Sequence, residues 1–138
     1  MWIFTETGFV SAVKKPQDNG LVSLRARNHA SLEAIAAKYS TEIINTPHGD
    51  YPWRTFITNE QLAQWLSETA LNLDYSNFKS RAHKTNKSSK FISALHDVWA
   101  VMTHTEDAEA RARFTQRTQG DVGPTDAELA WIEREREG

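Results

Sequence analysis

Imidazole, carboxylate, phenol and guanidinium groups fall within one short stretch, Pro47-His48-Gly49-Asp50-Tyr51-Pro52-Trp53-Arg54. Set beside a strand end, His48, Asp50, Tyr51 and Arg54, with Trp53 among them, are material for an acid–base or ligand site, because loops held by a scaffold often carry function. The same residues also make a good turn. Proline, glycine and aspartate shape it, while Tyr51 and Trp53 seal the edge of a core. Nothing in the spacing sets a reacting geometry, so no catalytic residue is assigned.

A second stretch, Lys79 to Lys90, holds Lys79, Arg81, Lys84, Lys87 and Lys90 and no acid, with Tyr75, Phe78 and Phe91 flanking it. Such a surface suits phosphate contact and makes nucleic acid an alternative partner. Read structurally, it is a solvated loop between helices. Just before it, Asp74-Tyr75-Ser76-Asn77-Phe78-Lys79 reads as a helix junction: Asp74 accepts backbone amides and Asn77 bonds across the break, while Tyr75, Asn77 and Lys79 take a functional role if they converge with the 48–54 loop.

The five histidines stand at 29, 48, 83, 96 and 104. On a continuous helix His96 and His104 lie about 12 Å apart along the axis, too far to share an ion, so no metal site is expected. There is no glycine-rich phosphate loop, no serine nucleophile elbow and no His-Glu-x-x-His pair. With no cysteine, disulfides, thiolate chemistry and cysteine-based metal sites are excluded. No cofactor is implied.

The elements that position these groups read as an α+β fold. An N-terminal hairpin, Trp2–Thr5 with Phe9–Lys14, is followed by the turn Pro16-Gln17-Asp18-Asn19-Gly20 and a strand near 21–27. In that strand Val22, Leu24 and Ala26 alternate with Ser23, Arg25 and Arg27, so one face is buried. A helix over 30–39 carries Leu32, Ile35, Ala36 and Tyr39, with Asn28 or Ser31 as its cap. Strands near 42–46 and 53–58 come next. Thr58 and Gln61 then form a capping box before a helix whose apolar face is Leu62, Trp65, Leu66, Ala70 and Leu73.

Asp74 is expected to cap a further helical stretch, and a helix over 89–102 presents Phe91, Leu95, Val98, Trp99 and Met102 to a core. Thr125 and Glu128 make another capping box after the polar link 116–124. The pattern predicts a compact domain over 1–104 and a polar helical tail over 105–138. Its mainly antiparallel sheet is loosely ferredoxin-like. The final strand of that arrangement is missing from its usual place and has to come from the N-terminal hairpin.

Composition fits a folded chain: 138 residues, 39% hydrophobic and 25% charged. Residues 1–105 hold 11 Lys/Arg against 9 Asp/Glu, and the remaining 33 hold 5 against 9. Neither balance forces a nucleic-acid or membrane reading. The start lacks the basic flank and long apolar run of a signal peptide, and no stretch approaches the roughly 20 apolar residues of a membrane span. The expected setting is therefore soluble and cytoplasmic, with no membrane partner.

Five segments in order, Thr7-Gly8-Phe9-Val10-Ser11-Ala12-Val13, Leu24-Arg25-Ala26-Arg27, Asp50-Tyr51, Asp74 to Lys79 and Val98-Trp99-Ala100-Val101-Met102, resemble a group of small uncharacterised bacterial and phage proteins with no assigned activity. The likeness covers roughly residues 1–103. It implies a compact domain in a phage or prophage setting and brings no catalytic residues. The functional expectation is a non-catalytic protein-interaction module, with a protein partner or self-association, its anchors drawn from an aromatic-rich composition. Nucleic-acid contact through 79–90 is one alternative. Small-molecule binding or catalysis at 48–54 is the other.

Overall fold

The computed structural model describes residues 1–120 and 123–137. The chain divides into two compact units, Met1–His96 and Asp97–Gly138. The sheet lies in the first unit. Its strands are β1 (Trp2–Thr5), β2 (Gly8–Val13), β3 (Val22–Ala26), β4 (Ile44–Asn45) and β5 (Trp53–Ile57), in spatial order β1-β2-β3-β5-β4 with every neighbouring pair antiparallel. Helix α1 (Ala30–Tyr39) connects β3 to β4, and β5 lies between those two strands, which makes a split βαβ unit. After β5 comes α2 (Asn59–Leu71). In a ferredoxin-like sheet a strand following α2 takes the place beside β3. Here β2 takes that place from the N-terminal side, as the missing strand required.

Local chemistry accounts for the joints. Between β2 and β3, Pro16–Asp18 form a short 3-10 turn, and Asn19 (φ 51°) and Gly20 (φ 80°) supply the left-handed residues that reverse the chain. Asn28, not Ser31, caps α1: its Oδ1 accepts the Ser31 N–H at 3.0 Å and the Ser31 hydroxyl at 2.8 Å. The capping box of α2 is complete, with Gln61 N–H donating to Thr58 Oγ1 at 3.1 Å and Thr58 N–H to Gln61 Oε1 at 2.9 Å.

Strand alternation sends Val10, Ala12, Val22, Leu24, Ala26 and Ile57 to one sheet face. There they bury Leu32 and Ile35 of α1, with Leu62 and Trp65 of α2 at the margin. The opposite face receives a smaller cluster: Ala82 of α3 (Phe78–Thr85) and Phe91 and Leu95 of α4 (Ser89–Met102) pack with Phe4 and Phe9. No residue of β3, β4 or β5 belongs to that cluster.

Two expectations are corrected. Ala70 and Leu73, expected on the packed face of α2, are exposed, because that helix reaches the core only through its first half. Val98, Trp99 and Met102, expected to face a core, are exposed as well; the first unit ends at His96, and only the Phe91–Leu95 turn of α4 lies against the sheet.

The second unit contains α5 (Ala108–Thr118) and α6 (Asp126–Glu137), the latter opened by the Thr125–Glu128 capping box. Of the expected polar link 116–124, α5 takes the first residues to Thr118, and Asp121 and Val122 lie outside the described residues.

Candidate functional site

The 46–52 loop is held closed by its own backbone and by β5. Thr46 N–H donates to the Pro52 carbonyl at 2.6 Å, and Gly49 N–H donates to the Thr46 carbonyl at 3.0 Å. Thr46 Oγ1 donates to the Tyr51 carbonyl and accepts from Arg54 Nε, each at 3.0 Å. The Arg54 guanidinium passes over Gly49 so closely that a Cβ there would sit 2.9 Å from Nη2. Asp50 turns its carboxylate to the Tyr51 N–H at 3.0 Å. His48 is exposed and has no hydrogen-bond partner among the described residues.

The five loop residues are therefore divided. Trp53 goes to the helix-covered face, where its ring meets His29 edge-on at 4.9 Å between centroids. Tyr51 and Arg54 go to the other face. There Tyr51 is buried at 5% exposure, its ring 6.4 Å from that of Phe9 and covered by two guanidinium groups, Arg25 at 4.6 Å and Arg27 at 4.4 Å. Arg27 also donates to the Asp50 carbonyl, which ties β3 to the loop.

Register explains the convergence. Pairing sets Trp2 opposite Ser11, Ser11 opposite Arg25, Arg25 opposite Arg54 and Arg54 opposite Ile44, so one row crosses all five strands. Arg25 Nη2 donates to Ser11 Oγ at 2.9 Å. Two groups on this face have no hydrogen-bond partner among the described residues: Arg25 Nε and the hydroxyl of Ser23, a residue 1% exposed. Arg25, Arg27 and Arg54 form no ion pair among the described residues. None of the five strands contains an acidic residue. Two like charges directly opposite on antiparallel strands destabilise a sheet, and here no carboxylate offsets them.

The residues singled out between 74 and 90 lie elsewhere. Asp74 does not cap α3. Its Oδ1 is 2.5 Å from Arg81 Nη2, and Asn77 Oδ1 takes the capping role by accepting from Ser80 N–H at 2.9 Å. The Tyr75 ring is tilted against that of Phe78 at 6.2 Å between centroids and lies 5.1 Å beneath the Arg81 guanidinium. Arg81 also reaches Glu6 at 3.4 Å, so this cation is consumed by two acids. Together Glu6, Tyr75 and Arg81 line a cavity of about 220 Å³ that Phe4 and Trp65 also line.

Lys79 Nζ lies 3.5 Å from His96 Nδ1, beside an open basin that His83 and Lys84 also line. Lys84, Lys87 and Lys90 are exposed. Asp74, Tyr75 and Asn77 engage Arg81, Phe78 and Ser80, and among the described residues no hydrogen bond, ion pair or ring contact joins these three to 48–54. No group of three His, Asp or Glu is placed to hold a metal ion among the described residues. No described helix is long and apolar enough to cross a membrane.

Ser11, Ser23, Arg25, Arg27 and Trp2 were not among the predicted site residues. The signal was present in the alternation of 22–27, which sets Arg25 and Arg27 on one side; what gathers them with Tyr51 and Arg54 is long-range pairing. Comparison with known proteins finds no family model, no curated protein and no solved structure that matches the chain.

Proposed function

We propose that this chain is a non-catalytic binding module whose working surface is the arginine-bearing sheet face and whose partner brings negative charge to it. One observation carries this reading: Arg25 and Arg54 oppose each other across β3 and β5, Arg27 lies alongside, and none of the three is neutralised by a carboxylate among the described residues. Sequences that break a local packing rule without internal compensation do so most often at functional positions. An arginine fork matches carboxylate and phosphate oxygens, and stacking on Tyr51 holds two of the forks in place before a ligand arrives. The loop supports binding rather than proton transfer, since Asp50 is engaged with the Tyr51 amide and His48 has neither an acid nor a hydroxyl to work with.

Inorganic tripolyphosphate is a suitable probe. Intrinsic tryptophan fluorescence is expected to report saturable binding that weakens by about tenfold or more in Arg25→Gln/Arg54→Gln, since a charge-assisted contact contributes about 1.5–3 kcal/mol. Absence of saturable binding at low salt would falsify the reading.

A protein partner is a second reading, favoured by the exposure of Val98, Val101 and Met102 on α4. Sedimentation of the full chain tests self-association through this stripe. Val101→Glu is expected to dissociate any oligomer, and an unchanged profile removes that form of the reading.

A further inference from the structure

Building on the anion-binding reading, we infer that the occupant of the sheet face is single-stranded nucleic acid, whose phosphates meet Arg25, Arg27 and Arg54 while an unpaired base stacks on Trp2. The cross-strand row supplies both parts. Trp2 is 70% exposed and lies on the same face as Arg25, two strands away. At the strand spacing of a sheet that separation is about 10 Å. Phe9 meets the Trp2 ring edge-on at 5.7 Å between centroids and restrains it. Single strands are held by this combination of a cationic track and aromatic platforms, because every base has a π-face and every linkage a charge.

Further features narrow the choice. Arg25 Nε and the Ser23 hydroxyl are buried polar groups with no hydrogen-bond partner among the described residues, both on the sheet face that carries the row. No acid interrupts the five strands, so a phosphodiester backbone can cross the sheet without meeting a carboxylate on it. Phe56, partly buried on the same face opposite Ser23, adds a second ring. An acidic peptide would satisfy the arginines but make no use of the exposed Trp2 on the same surface. A duplex keeps its bases stacked inside and offers Trp2 nothing to stack on.

The test uses the full chain and fluorescein-labelled oligothymidylate and oligouridylate of about 12 nucleotides, within the usual site sizes, read by anisotropy. A duplex of equal length, poly-glutamate and tripolyphosphate are run beside them. Single strands are expected to bind about tenfold tighter than the duplex. Trp2→Ala is expected to weaken them about tenfold while leaving tripolyphosphate unchanged, and Trp2→Phe to restore most of the loss. Arg25→Gln/Arg54→Gln should remove both.

If tripolyphosphate binds but single strand and duplex are equal and Trp2→Ala is silent, the nucleic-acid inference fails and the anion-binding reading survives. If neither tripolyphosphate nor oligonucleotide binds, both fail. Tighter binding of poly-glutamate than of either oligonucleotide assigns the face to an acidic protein segment and overturns the inference. Loss of oligonucleotide binding in Lys84→Glu/Lys87→Glu/Lys90→Glu, with the arginine variant unaffected, moves the contact to the α3–α4 segment and likewise overturns it.

Discussion

Arg54 is a residue whose removal should help the fold and harm the function. It faces Arg25 directly, and the repulsion between them is worth a few tenths to about 1 kcal/mol on a sheet. Arg54→Gln gives up the Nε bond to Thr46, a contribution of similar size and opposite sign. The expected result is a thermal midpoint within a few degrees of the parent or above it, together with weakened anion binding. A fall of ten degrees would mean that the arginine is there to hold the loop. Gly8 makes the opposite case. Its φ is +153°, and a Cβ there would lie 2.8 Å from Ser31 Cβ and 3.0 Å from Ser31 Cα. Gly8→Ala therefore combines backbone strain with a clash against the first turn of α1, and a loss of about 2 kcal/mol or more is expected in urea unfolding. Two site residues were legible in the sequence and their neighbours were not. Tyr51 stands in a loop with turn chemistry and Arg54 just after it, which draws attention locally. Arg25 and Arg27 look like the solvent side of a half-buried strand until pairing brings a second arginine opposite.

At the scale of elements, short-range rules account for the joints. The Asn19-Gly20 turn and the Thr58–Gln61 box are visible because both partners lie within a few residues of each other. Thr58→Ala should cost about 1 kcal/mol by removing the acceptor for Gln61 N–H, and chemical denaturation measures it. Between α1 and α2, the pair of Lys38 and Glu68 at 2.5 Å links two helices that share the core face. The hydrogen bond to Lys38 holds the Glu68 carboxyl below its ordinary value, and the same bond raises Lys38. A depressed carboxylate stabilises the fold above its unfolded value and loses that contribution as pH falls through the folded one. A raised amine does so below its unfolded value and loses it as pH rises through the folded one. Glu68→Gln should therefore lower the thermal midpoint at neutral pH, with the gap from the parent closing toward acid and toward strong alkali; a gap independent of pH would reject the pair. How far each helix extends onto a core was less legible than where it begins. The stripe of α4 continues in sequence past Leu95 to Val98 and Met102, but periodicity cannot say where the surface beneath a helix stops.

At the scale of the whole molecule, the strand order was legible only by elimination: a ferredoxin-like sheet lacks one strand after α2, and the N-terminal hairpin is the only unused β material. The split after His96, within α4, was not legible, since no proline, glycine or change of composition marks it. Charge is distributed unevenly along the chain. The sheet-bearing unit carries Arg25, Arg27 and Arg54, and residues 106–138 carry 5 Lys/Arg against 9 Asp/Glu. Three phosphate contacts on a single strand release enough counterions for log K to fall with log salt at a slope of about −2. Arg54→Gln removes one of the three contacts and should flatten that slope by about 0.7 in anisotropy titrations between about 50 and 500 mM salt. A slope that stays at its parent value would mean that Arg54 meets no phosphate, and the cationic track would then be confined to Arg25 and Arg27.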